Sequence, residues 1–207
     1  NYSRRYYGPT TLRRALEKSR NVVTVRVVQD LGASAVVDYV SRFGFQRPIG
    51  RNLSVGLGTS ETSLLELTSA YAVFADAGER VQPLLIRRIE DASGRLVAKI
   101  EPTRERVMSE QTAYLITSML EGVVQSGTGR VVRGLGRPVA GKTGTTNNQR
   151  DAWFMGFTPE LVTGVWVGYD DERTLGPSGT GGRMAAPVWL EFMRGATAGH
   201  EISDFAM

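Results

Sequence analysis

The chain has 207 residues, 41% of them hydrophobic and 22% charged, with a net charge of +4. That is an ordinary globular composition, long enough for one large domain with a real core. It contains no cysteine, which excludes disulfides and thiolate metal centres. No apolar run reaches the roughly 20 residues that span a bilayer. The single histidine, His200, lies near the C-terminus and reads as an exposed tail residue, which argues against a Ser-His-Asp triad. The cations are mostly scattered arginines, with no basic run interleaved with aromatics of the kind that binds nucleic acid. No signal-peptide pattern is visible, and the opening Asn1-Tyr2-Ser3-Arg4-Arg5-Tyr6-Tyr7 reads as the interior of a longer protein.

In chain order, Gly8-Pro9-Thr10-Thr11 marks a turn and a helix start, and Leu12 to Lys18 favours helix. Ser19-Arg20-Asn21 interrupts it with residues that prefer caps and turns. Helices are expected again over Val22–Leu31, closed by Gly32, and Ser34–Phe43, closed by Gly44. Ser19 and Asn21 therefore sit at a helical break, where a side chain either caps the next helix or points into a cleft. Residues 45–58 read as loop. Ser63-Leu64-Leu65-Glu66 is a capping-box pattern, and Leu64, Leu67, Tyr71 and Phe74 form a core stripe that stops at Gly78. Residues 83–89 and 96–100 alternate around Ala92-Ser93-Gly94, which predicts a hairpin.

A further helix begins at Met108-Ser109-Glu110, with Ile116, Met119, Leu120, Val123 and Val124 at helical spacing. It ends before Ser126-Gly127-Thr128-Gly129, a turn that is either a helix C-cap or a substrate-facing loop. Strands are expected at residues 139–146, 151–157 and 161–169. The acidic Asp170-Asp171-Glu172 reads as solvated rather than as a metal cluster. Gly176 to Gly182 is glycine-rich, without the lysine or strand–helix frame of a phosphate loop. Ala185–Arg194 predicts a closing helix, and the residues after it read as frayed.

Val139-Ala140-Gly141-Lys142-Thr143-Gly144-Thr145-Thr146 concentrates the chemistry: one of only three lysines, bare glycine backbone on either side of it, and threonine hydroxyls after it. Residues 136–143 also fit the G-x-x-x-x-G-K-[ST] phosphate-loop pattern, which requires a helix from the lysine onward. The following Thr-Gly-Thr-Thr-Asn-Asn are poor helix formers, which favours a strand edge. Such an edge can bind an anionic, peptide-like substrate.

These motifs in this order resemble the C-terminal two-thirds of the transpeptidase domain of a class A penicillin-binding protein. Residues 12–21, 56–60, 70–75 and 126–129 carry the likeness, and it is strongest over 140–146, 151–154 and 166–171. The resemblance implies an α/β (α+β) fold in which helices flank a mainly antiparallel sheet, as in β-lactamases and transpeptidases, with residues 1–207 as part of one such domain. It implies serine acyl transfer with no cofactor and no metal. The family's Ser-x-Asn motif falls on Ser19 and Asn21, and its Lys-Thr-Gly motif on Lys142, Thr143 and Gly144.

By that likeness Ser19 relays a proton to the leaving amine, Asn21 holds the substrate amide, and Lys142 supplies positive potential. Thr143 and Thr145 bind the terminal carboxylate, and the Thr145 N–H is an oxyanion donor. Gly144 lets the substrate backbone lie close, and Ser126, Gly127 and Thr128 line the groove. The expected partners are peptidoglycan stem peptides and β-lactams at the extracytoplasmic face of a bacterial membrane, and no nucleic acid. The chain departs from the family in one respect: Ala15, Leu96 and Val139 stand three positions before the lysines, so it holds no Ser-x-x-Lys. The nucleophile is expected in an upstream segment or second chain, with a membrane anchor further upstream. The alternatives are a non-catalytic substrate-binding or structural piece, and a serine β-lactamase.

Overall fold

Hydroxyl caps decide where several of the helices begin. The computed structural model describes residues 7–171 and 173–205. Helix α1 (Leu12–Glu17) starts under Thr11, whose side chain accepts from the Arg14 N–H. Helix α4 (Leu64–Ala75) starts with the predicted capping box, with Ser63 and Glu66 exchanging side-chain and backbone hydrogen bonds. Amide N–H groups of Ser63 and Gln46 hold the Glu66 carboxylate down to about 2. Helix α5 (Glu110–Ser126) is capped by Ser109. Between these lie α2 (Asn21–Leu31) and α3 (Ala33–Val40). The expected third helix is thus shorter than its pattern: Ser41–Phe43 tightens into a 3-10 turn that ends at left-handed Gly44.

The predicted hairpin forms, but only β2 (Arg88–Glu90) and β3 (Leu96–Lys99) pair, so residues 83–87 are not strand. A second small ladder was not foreseen: β1 (Glu79–Val81) pairs antiparallel with β4 (Arg104–Arg106). Its strands are three residues long and mostly charged, too short to show a period. The 3-10 turn Arg130–Leu135 also escaped the sequence reading, as did the one at Leu53–Leu57.

The central sheet runs β5 (Ala140–Thr145), β6 (Asp151–Phe157), β7 (Val162–Gly168), antiparallel throughout and in the order β5-β6-β7. Strand alternation divides its side chains between two faces. Ala152 and Phe154 face α6 (Ala185–Ala196), meeting Trp189, Met193, Ala185 and Ala186. Ala140 and Phe157 face Leu120 of α5, with Leu16 and Tyr71 packed behind. The result is the expected helix–sheet–helix arrangement. Trp189 is fully buried, its Nε1 donates to the Thr163 carbonyl at 2.9 Å, and its ring fills the space left by Gly156. Burying a side chain of this size stabilises the fold by about 2–3 kcal/mol.

Two core expectations need correction. Leu64 of the α4 stripe is 40% exposed, and the buried positions of that helix are Ala70 and Val73. The C-terminal stretch does not fray through residue 205, because the Phe205 ring packs edge-on against Phe157 at 5.5 Å.

Candidate active site

Ser19 occupies an unusual backbone position for local reasons. The Arg20 N–H donates to the Ala15 carbonyl at 2.9 Å and the Ser19 N–H to Leu16 at 3.1 Å, which together make the closing pattern of a helix that ends in a left-handed residue. That residue is usually glycine; here it is Ser19, with φ +51. A side chain there costs about 1–2 kcal/mol. The capping alternative is overturned, since the N-cap of α2 is Arg20 and makes no side-chain cap bond. The Ser19 hydroxyl instead accepts a hydrogen bond from Lys142 Nζ at 2.9 Å, across 123 residues of sequence.

Lys142 stands on β5, the edge of the sheet, whose outer side has no strand partner among the described residues. Its ammonium also donates to the Thr143 carbonyl at 2.9 Å. Burial pushes its pKa down to about 8, because removing water disfavours the charged form. The continuation of β5 through Thr145 also excludes the phosphate loop, since strand follows this lysine where a helix would be needed.

The turn after α5 takes the helix C-cap role and also reaches the central sheet. Gly127 closes the helix, and Thr128 reaches β5, its hydroxyl 2.6 Å from that of Thr143. Gly127 is required because a Cβ there would lie 2.3 Å from the Glu17 carbonyl. Ser126 contributes its carbonyl, which accepts from the Lys18 ammonium. Thr145 Oγ1 accepts from the Gly181 N–H at 3.1 Å. Gly144 has a structural reason inside the protein as well: a Cβ there would press on Trp153 at 3.0 Å. Asn21 begins α2, exposed, and its side chain makes no hydrogen bond among the described residues, so the structure does not join it to this cluster.

Sequence reasoning missed two supports of the site. Gly181 and Gly182 wedge between β5 and the Thr128 turn, where a Cβ would meet the Trp153 carbonyl at 2.3 Å and the Thr128 carbonyl at 2.7 Å. Consecutive glycines just before a helix were the available signal. Asp151 locks the β5–β6 turn, accepting from Trp166 Nε1 at 2.7 Å and from Thr146 Oγ1 at 3.1 Å. In the acidic run, Asp171 pairs with Arg173 at 2.6 Å, and Glu172 lies outside the described residues. His200 is exposed.

The sequence family described as the penicillin binding protein transpeptidase domain matches residues 1–194. The chain belongs to the penicillin-binding protein transpeptidase family. Penicillin-binding protein 1A of Neisseria lactamica is 42% identical over 202 residues, which are 94% of this chain and 25% of that protein. The Rickettsia typhi protein of the same name is 39% identical over 219 residues, 95% of this chain and 28% of the relative. The chain thus spans about a quarter of the length of these curated relatives. Among solved structures, penicillin-binding protein 1A from Haemophilus influenzae superposes with a TM-score of 0.95 at 29% identity, covering 100% of this chain and 37% of that one. PonA1 from Mycobacterium tuberculosis in complex with penicillin V gives 0.87 at 26% identity, covering 100% and 61%. The helix–sheet–helix arrangement is therefore that of a penicillin-binding protein. Among the described residues no helix is long and apolar enough to cross a membrane.

Proposed function

We propose that residues 1–207 form the C-terminal part of a single D,D-transpeptidase domain that cross-links peptidoglycan stem peptides and is acylated by β-lactams. The observation that carries this reading is the 2.9 Å hydrogen bond from Lys142 to Ser19, two residues that resemble members of the family's third and second motifs. Family membership and the open edge of β5 support it. The reacting serine belongs to a Ser-x-x-Lys segment outside these residues, and that segment completes the groove. A membrane anchor outside these residues would place the enzyme at the extracytoplasmic face.

A stem peptide lies along the outer edge of β5 as an added strand, pairing with its free backbone groups. Its terminal carboxylate meets the hydroxyls of Thr143 and Thr145, with Thr128 behind Thr143. Ser126, Gly127 and Thr128 form one wall, and Asn21 holds the substrate amide on the other. The serine attacks the carbonyl of the D-Ala-D-Ala bond, and the Thr145 N–H stabilises the oxyanion. The C–N bond breaks, the departing D-Ala nitrogen takes a proton through Ser19, and a serine ester remains. An amine of a second stem peptide then attacks the ester and restores the serine; water in its place gives carboxypeptidase action. Lys142 favours the anionic substrate and biases the proton path through Ser19.

The test is fluorescent penicillin on the intact protein, with Lys142→Ala beside it. Covalent label on the wild type, lost in the variant, is expected. An unlabelled wild type that still binds a D-Ala-D-Ala peptide would instead favour a non-catalytic binding role. Rapid release of the label as hydrolysed penicillin would favour a β-lactamase.

A further inference from the structure

Two helices end at the same place. The last residue of α5 is Ser126, and its carbonyl accepts from the Lys18 ammonium. Lys18 is itself the C-cap of α1. Beside it, the Thr128 N–H donates to the Glu17 carbonyl at 3.1 Å, and Gly127 leaves that carbonyl room to approach. A cation on the final carbonyl of a 17-residue helix is favoured by the helix dipole and satisfies an orphan acceptor.

These contacts close a ring. Ser19 follows Lys18 in the chain and bonds to Lys142; Thr143 follows Lys142 and meets the Thr128 hydroxyl; Thr128 returns through its N–H to Glu17. The local bonds that close α1 put Ser19 in the left-handed region, but they do not fix where the end of α1 sits relative to β5. Three ties to α5 and the turn after it do: Lys18 to Ser126, Thr128 to Glu17 and Arg13 to Ser118, and the one from Lys18 lies next to Ser19. Nothing in the acyl-transfer chemistry above uses Lys18.

We propose that Lys18 is a positioning residue for acyl transfer, its ammonium seated on the last carbonyl of α5 so that the end of α1 presents the Ser19 hydroxyl to Lys142. This rests on the transpeptidase reading above. Lys18 acts through Ser19 and touches no substrate, so its effect should vanish when Ser19 has no hydroxyl.

The experiment is a double-mutant cycle on the intact protein, read as the acylation rate by fluorescent penicillin, with melting temperature measured for each variant. Lys18→Met should acylate about tenfold more slowly at saturating penicillin, while Lys18→Arg, which reaches the same carbonyl, keeps most of the rate. In a Ser19→Ala background, Lys18→Met should cause no further loss, because residues acting as a unit are not additive. Lys99→Met, on the outlying hairpin, is the control for lysine removal. If the methionine variant does not fold, Lys18→Gln takes its place in the cycle. A wild-type rate in a folded Lys18 variant, or an equal loss with and without the Ser19 hydroxyl, overturns the proposal. A wild type that takes no label overturns the transpeptidase reading and this proposal with it.

Discussion

The β5–β6–β7 sheet and the β2–β3 hairpin are both antiparallel and both arise from alternating sequence, yet different forces hold them. In β6, five of seven residues are buried, and bulky rings lie against bare glycines. In β2 every residue is exposed, and in β3 all but Ala98. The hairpin carries Leu85, Ile86, Ile89, Leu96, Val97 and Ile100 at the surface, with ion pairs Arg88–Glu90 and Lys99–Glu101 along its edges. Its neighbour β1–β4 is tied to the helices by charge, Arg104 bridging Asp76 and Glu79, and Arg106 bridging Glu79 and Glu110. The candidate site is built on the packed sheet and the helix ends that meet it, with nothing from the hairpin. A reaction that needs hydroxyls and an ammonium held to within fractions of an ångström requires elements whose neighbours leave them no slack.

Removing the ammonium from the packed edge should give the largest effect. Lys142→Ala in the intact protein is expected to slow penicillin acylation by about a thousandfold, with no fall in melting temperature below pH 8. Loss of activity together with unfolding would mean that Lys142 serves packing and not charge.

Backbone crowding separates the two regions next. At Gly156 a Cβ would stand 2.6 Å from the Phe154 ring and 2.9 Å from Trp189. Gly156→Ala should therefore cost about 3 kcal/mol in urea denaturation, through overpacking of a buried sheet. At Gly94, in the hairpin turn, φ is +80 but a Cβ would meet nothing within 4 Å. Gly94→Ala should cost only about 1 kcal/mol, from backbone strain alone. Equal losses would show that strain, not packing, governs both.

The buried ammonium also makes a prediction about pH. Lys142 titrates at about 8 in the folded protein against 10.5 in the unfolded chain. Below pH 8 both states hold the proton, and the fold bears the full penalty of a desolvated charge, about 3 kcal/mol. Between 8 and 10.5 the unfolded chain binds more protons than the fold, so stability rises with pH through that window. Lys142→Met should be more stable than wild type at pH 7, and the difference should disappear by about pH 11. A wild type that gains no stability relative to Lys142→Met between those pH values would mean that water reaches the ammonium.

Much of this architecture could be read from the letters, and the exceptions have definite causes. Caps such as Ser63 and Ser109, and the helical period of α5, act over a few residues, so sequence reveals them. The strand edge at Lys142 was legible because the residues that follow the lysine are poor helix formers, which set it apart from a phosphate loop. The wedge of Gly181 and Gly182 showed only as paired glycines before a helix, and the tie from Lys18 to Ser126 not at all, because each depends on chain segments far apart in sequence. The packing of Phe205 on Phe157 belongs with them: a tail of mostly small and polar residues looks frayed until the ring it covers is known. Ser19 is the instructive intermediate case. Its neighbours announced a helical break, but only the position of β5 shows that the hydroxyl faces Lys142 and not the start of α2.

The smallest expected effect tests the other half of the comparison. Lys99 and Glu101 pair at the rim of the β2–β3 hairpin with side chains 66% and 69% exposed. Water and salt screen such a pair, and ordering two long side chains offsets most of its attraction. The hydrogen bond from Lys99 nonetheless draws the carboxylate of Glu101 below its usual range. Lys99→Met should leave the urea midpoint and the acylation rate unchanged at 150 mM salt, while Glu101 titrates closer to an ordinary carboxylate by NMR. That combination, a moved titration with an unmoved fold, is what an isolated surface pair on a two-stranded ribbon predicts. A change in acylation rate would show that the hairpin is mechanically coupled to β5, and the site could then no longer be assigned to the packed region alone.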